Sequence, residues 1–154
     1  MRGVKFRALL RFDKDGLFEV GEMTTTKPEN VVGQIERRRD NGEIDIAEES
    51  ELWIIPAGSF MKRTAVPTKA DSTVENDRQI SYKTDDDRDY GDTYLALTPT
   101  AQGEFRIDGY VRAVKPEMAA RVAASLKGGR MDAKNVLMVP DQTVNRFTVE
   151  SSNS

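Results

Sequence analysis

Cysteine and histidine are both missing from this 154-residue chain. Without cysteine there are no disulfides, thiolate zinc sites, iron–sulfur clusters or thiol nucleophiles. Without histidine the usual neutral-pH general base and the commonest transition-metal ligand are gone, which excludes Ser-His-Asp and Cys-His catalysis. Chemistry would have to rest on carboxylates, Lys, Arg, Tyr, Ser or Thr. Aromatics are scarce, at 7% with one tryptophan. No apolar run approaches the ~20 residues of a membrane-spanning helix, so a membrane partner is not expected. The segment MRGVKFRALLRF interrupts its apolar patch with Lys5, Arg7 and Arg11, and does not read as a secretory signal. The expectation is a cytoplasmic protein, in host cytoplasm if the chain is viral or phage-encoded, with no metal and no cofactor.

What is present is the composition of a polar but folded chain, 38% hydrophobic and 32% charged. Residues 4–12 alternate Phe6, Ala8, Leu10 and Phe12 with Lys5, Arg7 and Arg11, the pattern of a half-buried strand. Asp15-Gly16 suits a tight hairpin turn needing positive φ, and 17–23 returns as a second strand. Thr26 and Glu29 have capping-box spacing around Pro28, predicting a helix through Arg39 with Val31, Val32 and Ile35 inward and Asn41-Gly42 at its end. Leu52 to Ile55 is four apolar residues stopped by Pro56, a strand buried on both faces, and 58–64 reads as a further strand.

The second half repeats this order. Tyr94 to Leu97 aligns with Arg7 to Leu10, Gly103 with Gly16 and Phe105 with Phe18, all at an offset of 87. One residue later Lys115-Pro116-Glu117 falls on Lys27-Pro28-Glu29, opening a helix with core positions Ala119, Val122, Ala123 and Leu126 and ended by Gly128-Gly129. Residues 135–139 stop at Pro140, and 144–149 closes as a strand. The expected fold is α+β, an internal duplication of a β-β-α-β-β unit with antiparallel sheets and one helix per unit. The expected organisation is 1–64 as the first unit, 65–92 as an acidic linker, 93–150 as the second unit and 151–154 as a tail. The linker carries eight acidic and four basic residues. Only 79–84 within it reads as strand.

Several motif matches fail on their context. Asp85, Asp87 and Asp89 have calcium-loop spacing, but Tyr90 stands where that loop needs glycine and Ala96 where it needs glutamate. Ser59 and Lys62 match a Ser-x-x-Lys nucleophile without its partner motifs. Gly128-Gly129 follows a helix, whereas a phosphate loop precedes one. No carboxylate pair stands out as catalytic, since Glu22, Glu29 and Glu117 all have surface or capping roles.

Two surfaces remain. Asp85, Asp86, Asp87, Asp89 and Asp92 form a loop suited to a protein partner. Lys5, Arg7 and Arg11, with Arg106, Arg112, Tyr94, Tyr110 and the helix end Arg37, Arg38 and Arg39, resemble the cation and aromatic mixture of a single-stranded nucleic-acid binder. Glu19 and Glu22 on the neighbouring strand are placed to pair with those cations. The sequence thus reads first as a non-enzymatic protein-interaction module (adaptor, inhibitor or assembly factor). The alternatives are a nucleic-acid binder and then a carboxylate or metal-dependent enzyme.

Overall fold

A computed structural model describes residues 3–67, 72–75, 79–82, 92–128 and 132–149. Its first elements are β1 (Val4–Asp13), β2 (Gly16–Thr25), α1 (Pro28–Asp40), β3 (Glu51–Pro56) and β4 (Met61–Ala65). After β5 (Ser72–Glu75) and β6 (Gln79–Tyr82) come β7 (Asp92–Ala101), β8 (Glu104–Ala113), α2 (Pro116–Leu126), β9 (Lys134–Pro140) and β10 (Asn145–Thr148). The class is α+β, with antiparallel strands and two helices, as the alternating patterns predict. Short 3-10 turns follow Pro56 and Pro140.

The chain divides into two units that are not consecutive stretches: Met1–Ser59 with Thr100–Phe105 and Thr143–Ser154, and Phe60–Pro99 with Arg106–Gln142. In the first, the strand order is β10-β3-β1-β2. Phe6 lies opposite Pro56 and Ala8 opposite Ile54, and Arg146 of β10 lies opposite Trp53. Phe6, Ala8, Leu52 and Ile54 form one face, on which Val31 and Ile35 of α1 are buried. In the second unit the order is β8-β7-β9-β4, with Tyr94 opposite Pro140. Strand β6 runs parallel to β8. Tyr94, Ala96, Val111, Ala113, Val136 and Met138 form its helix-bearing face.

Local chemistry accounts for the element ends. The residue before a proline is driven to extended backbone. Lys27 before Pro28 and Lys115 before Pro116 therefore become N-caps, both extended and neither with a side-chain cap bond. The expected Thr26–Glu29 capping box does not form for that reason. Gly42 and Gly128 end the helices at φ +78 and +69. Strand β2 carries a bulge where Ala8 pairs with Gly21 and Leu9 with Glu19. The bulged Val20 carbonyl accepts Arg38 Nη1 at 2.9 Å. A Cβ at Gly21 would meet that guanidinium at 2.9 Å and Ile35 at 3.3 Å, so glycine is what lets α1 lie close to the bulge.

The strand registers align the two halves of the chain differently from the sequence. Phe6 and Tyr94 hold the same place relative to Pro56 and Pro140. The spacing in β1 and β7 is therefore 88, the spacing of the two Lys-Pro-Glu triplets, rather than 87. A one-residue slip matters because it moves a side chain to the other face of a sheet.

Candidate functional site

The basic face of the first unit lies opposite α1, and its cations meet carboxylates there. Lys5 Nζ reaches Glu22 at 3.3 Å. Arg7 makes a two-point contact with Glu19, Nε at 3.1 Å and Nη2 at 2.8 Å, and lies 5.5 Å from the Phe105 ring. Arg11 reaches Glu51 at 3.3 Å and donates twice to the Lys14 carbonyl, at 3.1 and 2.6 Å. The pairing with Glu19 and Glu22 is the one the strand pattern predicts.

The single tryptophan sits in the middle of this lattice. Trp53 is 1% exposed, with the Arg11 and Arg146 guanidinium groups 5.8 and 4.3 Å from its ring centre. Its indole N–H donates to Glu51, which thereby holds the ring and Arg11 together. Nothing in the sequence around Trp53 signals Arg146, which lies 93 positions away and arrives through the β3–β10 pairing.

The remaining cations and aromatics of the proposed nucleic-acid surface are scattered. Arg38 is committed to the bulge carbonyl, and Arg39 contacts Asp40 at 3.1 Å with its side chain 11% exposed. Arg37 and Arg112 are exposed, and Tyr110 is half-buried. Arg106 contacts Asp108 at 2.9 Å. Tyr94 is 4% exposed and belongs to the core under α2. It is not offered to a base, which corrects the expectation of an outward tyrosine. Burial pushes its phenol pKa up, and the Asp92 and Glu117 carboxylates add to the shift.

The second unit holds a buried charged group that sequence reading missed. The Asp108 side chain is 4% exposed. It accepts Thr98 Oγ1 at 2.5 Å and lies 3.4 Å from Lys127 Nζ, while Lys127 also donates to Thr98. This group ties β7 and β8 to the C-cap of α2, and every member has a partner, as a buried charge requires. Among the described residues no group of three or more acidic side chains is placed to hold a metal ion. Asp85, Asp86, Asp87 and Asp89 lie outside the described residues, while Asp92 opens β7 and is exposed.

No family model, no curated protein and no solved structure matches this chain. The residues themselves must therefore indicate the site.

Strand β4 offers a sheet edge with two pockets beside it. It is the terminal strand of its sheet path and, among the described residues, pairs only with β9. A pocket of about 370 Å³ is lined by Lys62, Arg63, Thr64, Pro99, Asn135 and Leu137. A second of about 400 Å³ is lined by Arg63, Thr64, Val66, Glu117, Ala120 and Arg121. Unlike Lys5, Arg7 and Arg11, the cations Lys62, Arg63 and Arg121 have no carboxylate within 4 Å among the described residues. Arg63 donates from Nη1 to the Lys62 carbonyl at 3.0 Å.

Proposed function

We propose that this protein is a non-enzymatic protein-interaction module, built from two copies of a β-β-α-β-β unit that exchange their last strands. The single observation that carries the interaction reading is the β4 edge, which among the described residues has no second strand partner and is flanked by two pockets and by cations without carboxylate partners. An unpaired strand edge is a template for another chain, and proteins that do not use one normally cover or blunt it.

Several features support the duplication. Both halves run strand, strand, helix, strand, 3-10 turn, strand. Both helices begin at a Lys-Pro-Glu triplet. The strand β4 follows β3 in the chain but pairs with β9, and β10 follows β9 but pairs with β3. A spacing of 88 relates Phe6 to Tyr94, and one of 84 relates Pro56 to Pro140.

The nucleic-acid alternative has less support. Its strand cations are engaged by Glu19, Glu22 and Glu51, which offsets their pull on phosphates, and Tyr94 is buried.

The test is affinity capture with the full chain from an extract of the cell that makes it, with and without nuclease. A protein partner retained after nuclease treatment is the expected result. Capture that vanishes with nuclease, with binding that weakens steeply as salt rises, would favour the nucleic-acid reading instead.

A further inference from the structure

We propose that the open edge of β4 receives an extended peptide as an added strand, one that alternates aromatic side chains with carboxylates. This deepens the interaction-module reading and rests on it.

A strand added to a sheet gains main-chain hydrogen bonds along the edge and sends successive side chains to opposite faces. It therefore needs a receptacle on each face of one edge. Arg63 and Thr64 border both pockets, which differ in their other walls, Pro99, Asn135 and Leu137 for one and Glu117, Ala120 and Arg121 for the other. Met61 and Ala65 pack against the core under α2, so alternation sends Arg63 to that face and Lys62 and Thr64 to the opposite one.

The linings say what each pocket takes. On β3, Trp53 lies opposite Arg146, and the guanidinium covers the indole at 4.3 Å. On β9 the corresponding pair is Leu137 opposite Lys62. Leucine is smaller than tryptophan, and the space beside Leu137 is open. A ring brought by the partner fills that space and meets the Lys62 ammonium as Trp53 meets Arg146, a cation–aromatic contact. On the other face Arg63 and Arg121 line the pocket against a single acid, Glu117, so a carboxylate there gains two cations.

The same charges exclude a second copy of this chain as the occupant. Pairing β4 with β4 would set Lys62 and Arg63 against themselves, and like charges opposite one another destabilise a strand pair. The edge rejects itself and accepts an acidic strand. Until a strand arrives, Arg63 covers the Lys62 carbonyl; an incoming N–H replaces it and releases the guanidinium to a carboxylate.

The test uses the full chain and two fluorescein-labelled octapeptides of equal composition. One alternates phenylalanine and glutamate, and the other has four glutamates followed by four phenylalanines. Fluorescence anisotropy is expected to show the alternating peptide binding about tenfold tighter. Thr64 lies two positions from Lys62, so its N–H shares the outward direction of the Lys62 carbonyl. Proline is tolerated on a strand edge but removes the donor there. Thr64→Pro is expected to weaken the alternating peptide about tenfold, and Arg121→Glu about threefold with an unchanged thermal midpoint.

Equal affinity for the two peptides, no binding at millimolar concentration, or binding unaffected by both variants overturns the proposal. If Thr64→Pro lowers the thermal midpoint, amide chemical-shift changes in the unmodified chain decide. Changes confined to 61–66 and 117–121 support the edge site, and changes elsewhere overturn it. A captured protein partner that both variants retain leaves the interaction reading standing and removes this edge as its site. Failure of both capture and peptide binding removes both.

Discussion

Gly16 and Gly103 close the two long hairpins, and they are glycine for different reasons. The Asp15-Gly16 sequence predicts positive φ, but Gly16 is not among the left-handed residues, whereas Gly103 sits at φ +77. At Gly16 the constraint is contact. A Cβ would fall 2.5 Å from the tip of the Phe12 ring. That ring is 57% exposed and free to swing away. Gly16→Ala is therefore expected to change unfolding free energy by less than about 0.5 kcal/mol, since the loss of chain entropy in the unfolded state offsets the displaced ring. Gly103→Ala meets no atom but forces a side chain into the left-handed region, at a cost of about 1–2 kcal/mol. Urea denaturation of the two variants checks the contrast, and equal costs would contradict it. Tyr94 gives a second expectation at this scale. Its folded-state pKa is raised by burial, then by Asp92 and Glu117, so the folded protein holds its proton more tightly than the unfolded chain. The linked stability is fully present below the unfolded value near 10 and is lost as pH rises past it. The thermal midpoint should fall above pH ~10, and Tyr94→Phe should remove part of that fall. A fall of the same size in Tyr94→Phe would place its origin elsewhere.

The two helices solve one packing problem in opposite ways. On α1 the buried positions are Val31 and Ile35, large side chains that fill the space over Phe6, Ala8, Leu52 and Ile54. On α2 four of the five buried positions are alanine, so the sheet beneath must supply the bulk, through Tyr94, Val111 and Met138. Ile35→Ala is expected to leave a cavity and cost about 2–4 kcal/mol. Ala123→Leu is expected to overfill a close contact and cost about 1–3 kcal/mol. Guanidinium unfolding measures both, and a neutral Ala123→Leu would mean that α2 stands further from its sheet than its alanines imply. The helix interiors were legible because the 3.6-residue period is local. The strand alternation of 4–12 was legible for the same reason. The start of α1 was misread because Thr26 and Glu29 have the right spacing, yet Pro28 forces Lys27 out of the helical region and moves the cap one residue inward. The Asp108 group was invisible, since Thr98, Asp108 and Lys127 meet only after a hairpin and a helix have both formed.

Strand pairing across the whole chain was the least legible property. Nothing in Met61 to Ala65 says that its partner is β9 rather than the adjacent β3, because edge choice depends on distant hydrogen bonds and not on local pattern. The β4 site shared this opacity: a run such as Lys62-Arg63 reads as a solvated face until the strand is known to end a sheet. The pairing of β10 with β3 and of β4 with β9 has a direct consequence for folding. A fragment of residues 1–66 keeps β3 but lacks β10, which covers its edge and brings Arg146 to Trp53. It also lacks the hairpin tip whose Gly103 carbonyl accepts the Glu19 N–H at 2.7 Å. A fragment of residues 92–154 keeps β9 but lacks β4, which pairs with it from Met61 to Ala65. Small sheets with an uncovered hydrophobic edge fall below the size that sustains an independent core. Each fragment alone is therefore expected to show no cooperative thermal transition. An equimolar mixture should regain one, because each unit draws strands from both fragments. Trp53 reports the outcome directly, since it is the only tryptophan and its burial restores a blue-shifted emission. A fragment 1–66 that melts cooperatively by itself, with its tryptophan shielded from acrylamide, would show that β10 is dispensable and that the first half folds as a closed unit.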